Sequence, residues 1–65
     1  MKRLILKAKR VERGIKQKDF ASTLGISQQH LNRIETGRVE PRRDMMKRIS
    51  EELGCTVEEL FFYES

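Results

Sequence analysis

QKDFASTLGISQQHLNRIET, residues 17–36, reads as two short helices joined by a glycine turn. Phe20, Leu24, Ile26, Leu31 and Ile34 form the apolar set. Their spacing predicts an inward stripe on each helix, with the two stripes meeting across the turn. Ala21 is small where the helix axes must come closest. Gly25 falls where the chain must swing sharply, and glycine enters the left-handed backbone region at no steric cost. Ser27 is placed as the N-cap of the second helix, with Ile26 before it and Leu31 after it as a hydrophobic staple. Left outside are Gln28, Gln29, His30, Asn32 and Arg33. Amide and guanidinium groups are what paired contacts to adenine and guanine edges require. The pattern is that of a helix-turn-helix and points to a DNA reader.

The 65 residues predict one domain over 1–65, small enough to bury only about 60% of its unfolded surface. No apolar run approaches the ~20 residues of a membrane span. The Leu4-Ile5-Leu6 stretch after Lys2 and Arg3 gives way to charge at Lys7, too short for the core of a signal peptide. A cytoplasmic location is the expectation. Cys55 has no second cysteine to pair with, and one cysteine with His30 is a poor metal set, so no disulfide, metal or cofactor is expected.

Fourteen basic against ten acidic residues give a net charge of +4, which alone says little about a nucleic-acid partner. The distribution says more. Residues 1–20 hold eight Lys or Arg and two acids, a local +6, whereas residues 51–65 hold Glu51, Glu52, Glu58, Glu59 and Glu64 and no base. Such a molecule has a preferred orientation on a polyanion. The blander explanation, that these charges solvate exposed helix faces, weighs equally on charge alone.

Gly14, Gly25, Gly37 and Gly54 punctuate five helical patterns, at about residues 2–13, 17–24, 28–36, 42–53 and 57–62. No segment alternates with period two, so no sheet is expected. In the first helix Leu6 is the inward candidate, with Leu4 and Ile5 competing. Lys16 is a poor N-cap for the second helix, and Ile15 with Phe20 is its staple. In the fourth helix Met46, Ile49 and Leu53 share one face with Met45 beside it. Thr56 and Glu59 spell a capping box for the last helix, flanked by a staple from Cys55 to Leu60.

Arg10, Gly14-Ile15, Gln17, Phe20-Ala21, Leu24-Gly25-Ile26-Ser27, Leu31, Ile34-Glu35, Gly37, Pro41, Ile49, Leu53, Thr56 and Leu60 together resemble the lambda-repressor-like (Cro and XRE-type) helix-turn-helix proteins of phages and bacteria. The resemblance covers nearly the whole chain and implies an all-α, compact five-helix domain. It implies that Gln17, at the start of the second helix, fixes that helix on a DNA phosphate, where the helix dipole also favours an anion. It places Gln28 and Gln29 at base contacts, with Arg33 one turn along as a third reader and Asn32 as a flanking contact. It pairs Arg10 with Glu35 in a buried ion pair between the first and third helices. The chain departs from the family after Pro41, where Arg42 and Arg43 replace the usual Ser or Thr. That puts the cap of the fourth helix in doubt. With Arg38 and Ser27, these two arginines complete the expected DNA-backbone contacts, unless one of them enters the minor groove.

His30 is read as a solvated flank residue, Cys55 as a small staple residue, and Met45 and Met46 as core filler. Lys2, Arg3, Lys7 and Lys9 are read as solvent-facing charges. Phe61, Phe62 and Tyr63 are too many aromatics for a short helix to bury, so part of that tail is expected to form a homodimer surface at the acidic end. The functional expectation is a transcriptional regulator, a repressor that reads a two-fold symmetric operator through the major groove, of phage, mobile-element or autoregulatory type. Two alternatives stand beside it: an antitoxin that silences a toxin protein, and a pure protein-interaction module. No nucleophile is paired with a base, and the adjacent carboxylates lie on an acidic helical surface, so an enzyme is not expected. Nor is a small-molecule effector.

Overall fold

Leu6, Phe20, Leu31, Ile34, Ile49 and Leu53 are almost wholly enclosed, and they come from four different helices. The computed structural model describes residues 4–62, arranged as α1 (Leu4–Glu12), α2 (Gln17–Leu24), α3 (Gln28–Glu35), α4 (Arg43–Leu53) and α5 (Val57–Phe61). Leu60 and Phe61 of α5 close the same core, joined by Ala21, Leu24 and Met46. Each of the larger side chains, Leu, Ile, Phe and Met, contributes about 1.5–3 kcal/mol on burial, so the core holds the domain together through all five helices. The packing is α2 on α3, α4 on α5, α1 against both α3 and α5, and α2 on α4.

Helix limits follow the punctuation in the sequence. Gly25 has φ +76° and closes α2, its N–H donating to the Ser22 carbonyl while the Ile26 N–H reaches the Ala21 carbonyl. This is the Schellman arrangement, and it turns the chain into α3 within two residues. Ser27 Oγ accepts the His30 N–H at 3.0 Å and caps α3. The Thr56–Glu59 capping box is complete, each side chain receiving the other's backbone N–H at 3.1 Å. Lys16 occupies the N-cap of α2 and makes no side-chain cap.

α3, α4 and α5 are each a residue shorter than their sequence patterns, because Thr36, Arg42 and Phe62 serve as their caps, and α1 ends at Glu12 rather than Arg13. The expected start of α1 at Lys2 lies outside the described residues. Arg42 caps α4 without a side-chain bond, and the Asp44 carboxylate compensates by accepting the Met45 N–H at 2.9 Å. Leu6 of α1 is buried in the core, with Ile5 packed half-buried beside it, while the competing Leu4 side chain lies outside the described residues.

Two arginines reach helix ends across the fold. Arg48 of α4 donates to the Thr23 carbonyl at 2.9 Å, setting a cation on the C-terminal end of α2, where the helix dipole favours it. The Arg13 guanidinium lies over Gly54, in the space a Cβ there would need, with Nη2 2.6 Å from that point. Its charge lies at the C-terminal end of α4, where the helix dipole favours it. No helix among the described residues is long and apolar enough to cross a membrane.

Candidate nucleic-acid interface

α3 divides cleanly between the inside and the outside. Leu31, Ile34 and Glu35 are buried against the rest of the domain, while Gln28, Gln29, Asn32 and Arg33 are exposed. At 100° per residue, those four polar residues fall within a sector of about 140° on the helix surface. The burial of Leu31 and Ile34 beneath them means the row cannot roll away without opening the core.

Gln17 sits half-buried at the start of α2, at the seam with α3. Its amide is a junction. Gln17 Nε2 donates to Glu35 Oε1 at 3.0 Å and to Asn32 Oδ1 at 3.3 Å. Gln17 Oε1 accepts from Gln28 Nε2 at 3.2 Å. Behind it lies the ion pair, with Arg10 Nε donating to Glu35 Oε2 at 2.6 Å and Nη2 donating to Oε1 at 3.2 Å. The third arm of Arg10, Nη1, donates to the Ile15 carbonyl at 2.8 Å, which ties the α1–α2 turn to the same network. The two side chains are 7% and 2% exposed, so neither partner has water to fall back on.

The resemblance therefore anticipated the Arg10–Glu35 pair. Sequence reading missed that Gln17 joins this pair to Gln28 and Asn32. Nothing in the spacing of a helix-start glutamine signals a bond to a carboxylate eighteen residues away.

The loop after α3 is wound about one atom. The Arg33 carbonyl accepts the Arg38 N–H at 2.9 Å and the Val39 N–H at 3.2 Å, and Thr36 Oγ1 adds a bond at 3.3 Å. Val39 folds back on the core and Pro41 is buried, leaving Arg38 and Arg42 exposed between α3 and α4 and Arg43 exposed at the first position of α4. Ser27 is exposed at the N-terminus of α3. His30 departs from the solvated reading: it is half-buried and lines an open cleft with Val39, Pro41, Arg42 and Met45. The α3–α4 loop folds over that flank of the helix, which sequence periodicity does not reveal.

At the acidic end, Phe61 corrects an expectation. It is 8% exposed and belongs to the core, so it is withdrawn from the expected partner surface. A five-residue helix running along α1 and α4 can turn both Leu60 and Phe61 inward. Phe62 remains 57% exposed, as is Val11 of α1, which sequence reading did not single out. Tyr63 lies outside the described residues. Among those residues no group of three or more His, Cys, Asp or Glu could hold a metal ion.

Comparison with known proteins places this geometry. A family model described as "Helix-turn-helix" matches residues 6–60, a span that runs from the core residue Leu6 to the core residue Leu60. A protein of Methanocaldococcus jannaschii, named an uncharacterized HTH-type transcriptional regulator, is 34% identical over 59 residues, covering 91% of this chain and 89% of that protein.

Proposed function

Because the chain belongs to the helix-turn-helix family of Cro and lambda-repressor type, we propose that it is a transcriptional repressor that reads a two-fold symmetric operator as a homodimer. DNA binding is the family's trade, and the observation that carries it to particular residues is the exposed polar row of α3 over a buried apolar floor. Gln28 and Gln29 read base edges in the first turn of the helix, Arg33 reads a third position, and Asn32 contacts the flank. Ser27, Arg38, Arg42 and Arg43 hold phosphates with their side chains and Gln17 with its backbone N–H, setting the register and carrying no sequence information themselves. α2 begins without a side-chain cap, so a phosphate oxygen would complete its N-terminus. Repression follows where the operator overlaps a promoter.

The homodimer rests on Phe62, an exposed ring at the C-terminal pole, just past the acidic α5. A two-fold axis through that pole presents two copies of α3 to half-sites about 34–36 Å apart. The same ring favours a second reading, in which the chain is an antitoxin and Phe62 meets a toxin protein. Copurification of a partner protein would favour that reading.

Variants separate base reading from phosphate holding. Gln28→Ala and Gln29→Ala each cost about 1–3 kcal/mol of discrimination at one base pair and leave the salt dependence of binding unchanged. Arg42→Ala weakens binding evenly across sequences and lowers the salt slope by about 1. Indifference of the unmodified protein to duplex sequence contradicts the proposal.

A further inference from the structure

We propose that Glu35 is a specificity-determining positioning residue, whose carboxylate fixes the amide polarity of Gln17 and, through it, of Gln28 and Asn32, so that α3 presents a donor–acceptor pair suited to adenine. This rests on the reading of Gln28 as a base contact given above.

A carboxylate held by a guanidinium accepts hydrogen bonds and donates none. Glu35 Oε2 receives Arg10 Nε, and Oε1 receives both Arg10 Nη2 and Gln17 Nε2. The Glu35 side chain is 2% exposed, so it cannot exchange these partners for water. Turning the Gln17 amide over would bring its carbonyl oxygen to about the same 3.0 Å from Oε1, two acceptors face to face. The Gln17 amide is therefore locked with nitrogen inward and oxygen outward.

The lock propagates. Both hydrogens of Gln17 Nε2 are used, one on Glu35 and one on the Asn32 carbonyl oxygen. That turns the Asn32 carbonyl inward and its amide nitrogen outward. Gln17 Oε1 faces outward and takes one hydrogen from Gln28 Nε2. Gln28 then has one amide hydrogen and its carbonyl oxygen left for a base. A donor beside an acceptor matches adenine N7 and N6, whereas guanine N7 and O6 offer two acceptors. A buried ion pair that touches no base in this scheme thus sets the hydrogen-bond sense of a residue that does.

Glu35→Gln reverses the chain. The new amide keeps one acceptor oxygen, which Arg10 Nε claims at the shorter 2.6 Å contact, and turns its NH2 toward Gln17, giving up the longer 3.2 Å bond from Arg10 Nη2. Gln17 must then offer oxygen inward and nitrogen outward, Gln28 must accept from it, and Gln28 is left with two hydrogens for a base. Two donors suit guanine.

The experiment selects bound duplexes from a random library with the unmodified protein, Gln28→Ala, E35Q and Gln17→Met, each checked for folding by its circular dichroism melt. The column that Gln28→Ala flattens identifies the base read by Gln28. The expected result is adenine preferred over guanine there by about tenfold in the unmodified protein, and a shift toward guanine in folded E35Q, with other columns unchanged. Wild-type preference retained by folded E35Q overturns the proposal, as does any base other than adenine favoured by the unmodified protein. Gln17→Met leaves the ion pair intact and keeps the question open to test if E35Q does not fold. It should bring adenine and guanine close to parity in that column alone, and an unchanged column, or an even loss of affinity across all columns, overturns the proposal. A failure of the unmodified protein to select any motif would instead overturn the DNA-reading proposal itself, and this inference with it.

Discussion

Arg10 and Glu35, 25 residues apart in sequence, meet through hydrogen bonds of 2.6 and 3.2 Å in the interior between α1 and α3. Such a pair adds little net stability over a well-packed apolar pair, because both charges lose their hydration. Its removal from one side is a different matter. Arg10→Ala leaves a buried carboxylate whose strongest partner is gone, and the expected loss is about 3–5 kcal/mol, a large share of a domain this small. Gln28→Ala removes an exposed amide and leaves the melting temperature nearly unchanged while abolishing base preference at one position of the site. Thermal melts of the two variants check this, and coincident melting curves would contradict the buried-pair account.

Gly25 carries a second prediction. Its φ of +76° is in the left-handed region, and a Cβ built there would meet nothing within 4 Å. The cost of Gly25→Ala is therefore conformational alone, about 1–2 kcal/mol. Gly25→Asn should cost less, since asparagine tolerates that region. Urea midpoints should rank Gly, Asn, Ala in falling order, and an alanine variant as stable as asparagine would show that the turn relaxes.

Glu59 predicts a pH dependence. The Thr56 backbone N–H, then the Thr56 hydroxyl, and more weakly the attraction of Lys9, hold its carboxyl below the ordinary glutamate value against a small opposing effect of burial. A depressed folded-state pKa means that the unfolded chain binds the proton more readily. The stabilisation is present above about pH 4.3, the ordinary glutamate value, and is lost as the pH falls from there through the lower folded-state pKa. The melting difference between the native protein and Glu59→Gln should be evident near neutrality and vanish in acid. A difference that persists unchanged at low pH would contradict the capping role.

Phe62→Ser tests the proposed dimer surface. The ring is 57% exposed, so stability of the monomer should change by less than about 0.5 kcal/mol. Sedimentation at tens of micromolar, on the scale of weak nonspecific DNA affinity, should show a dimer that the substitution turns into monomer. A native protein that sediments as a monomer would count against a preformed dimer.

Most of the fold was legible because its determinants are local. Ser27, Thr56 with Glu59, Gly25 and Gly54 mark helix ends by their own backbone chemistry, and the stripes of Phe20, Leu31, Ile34, Ile49 and Leu53 follow helical period. The candidate site was legible as a row of polar residues on α3, and its membership still rests on that row. What escaped the sequence depends on contacts between elements. The Gln17 amide meets Glu35 only because α2 and α3 pack at one angle. Phe61 turns inward because α5 is short and lies in the angle of α1 and α4, and His30 is half-covered because the loop after Arg33 folds back. Arg48 fastens, and Arg13 lies over, a helix end that no local pattern links to it.

The central claim, that α3 reads duplex DNA in a two-fold symmetric site, is tested most directly by selecting bound duplexes from a random library with the purified protein at near-physiological salt. The predicted result is an enriched palindromic motif with half-sites about one helical turn apart. Recovery of unselected sequence, with only weak and salt-sensitive binding, would contradict it.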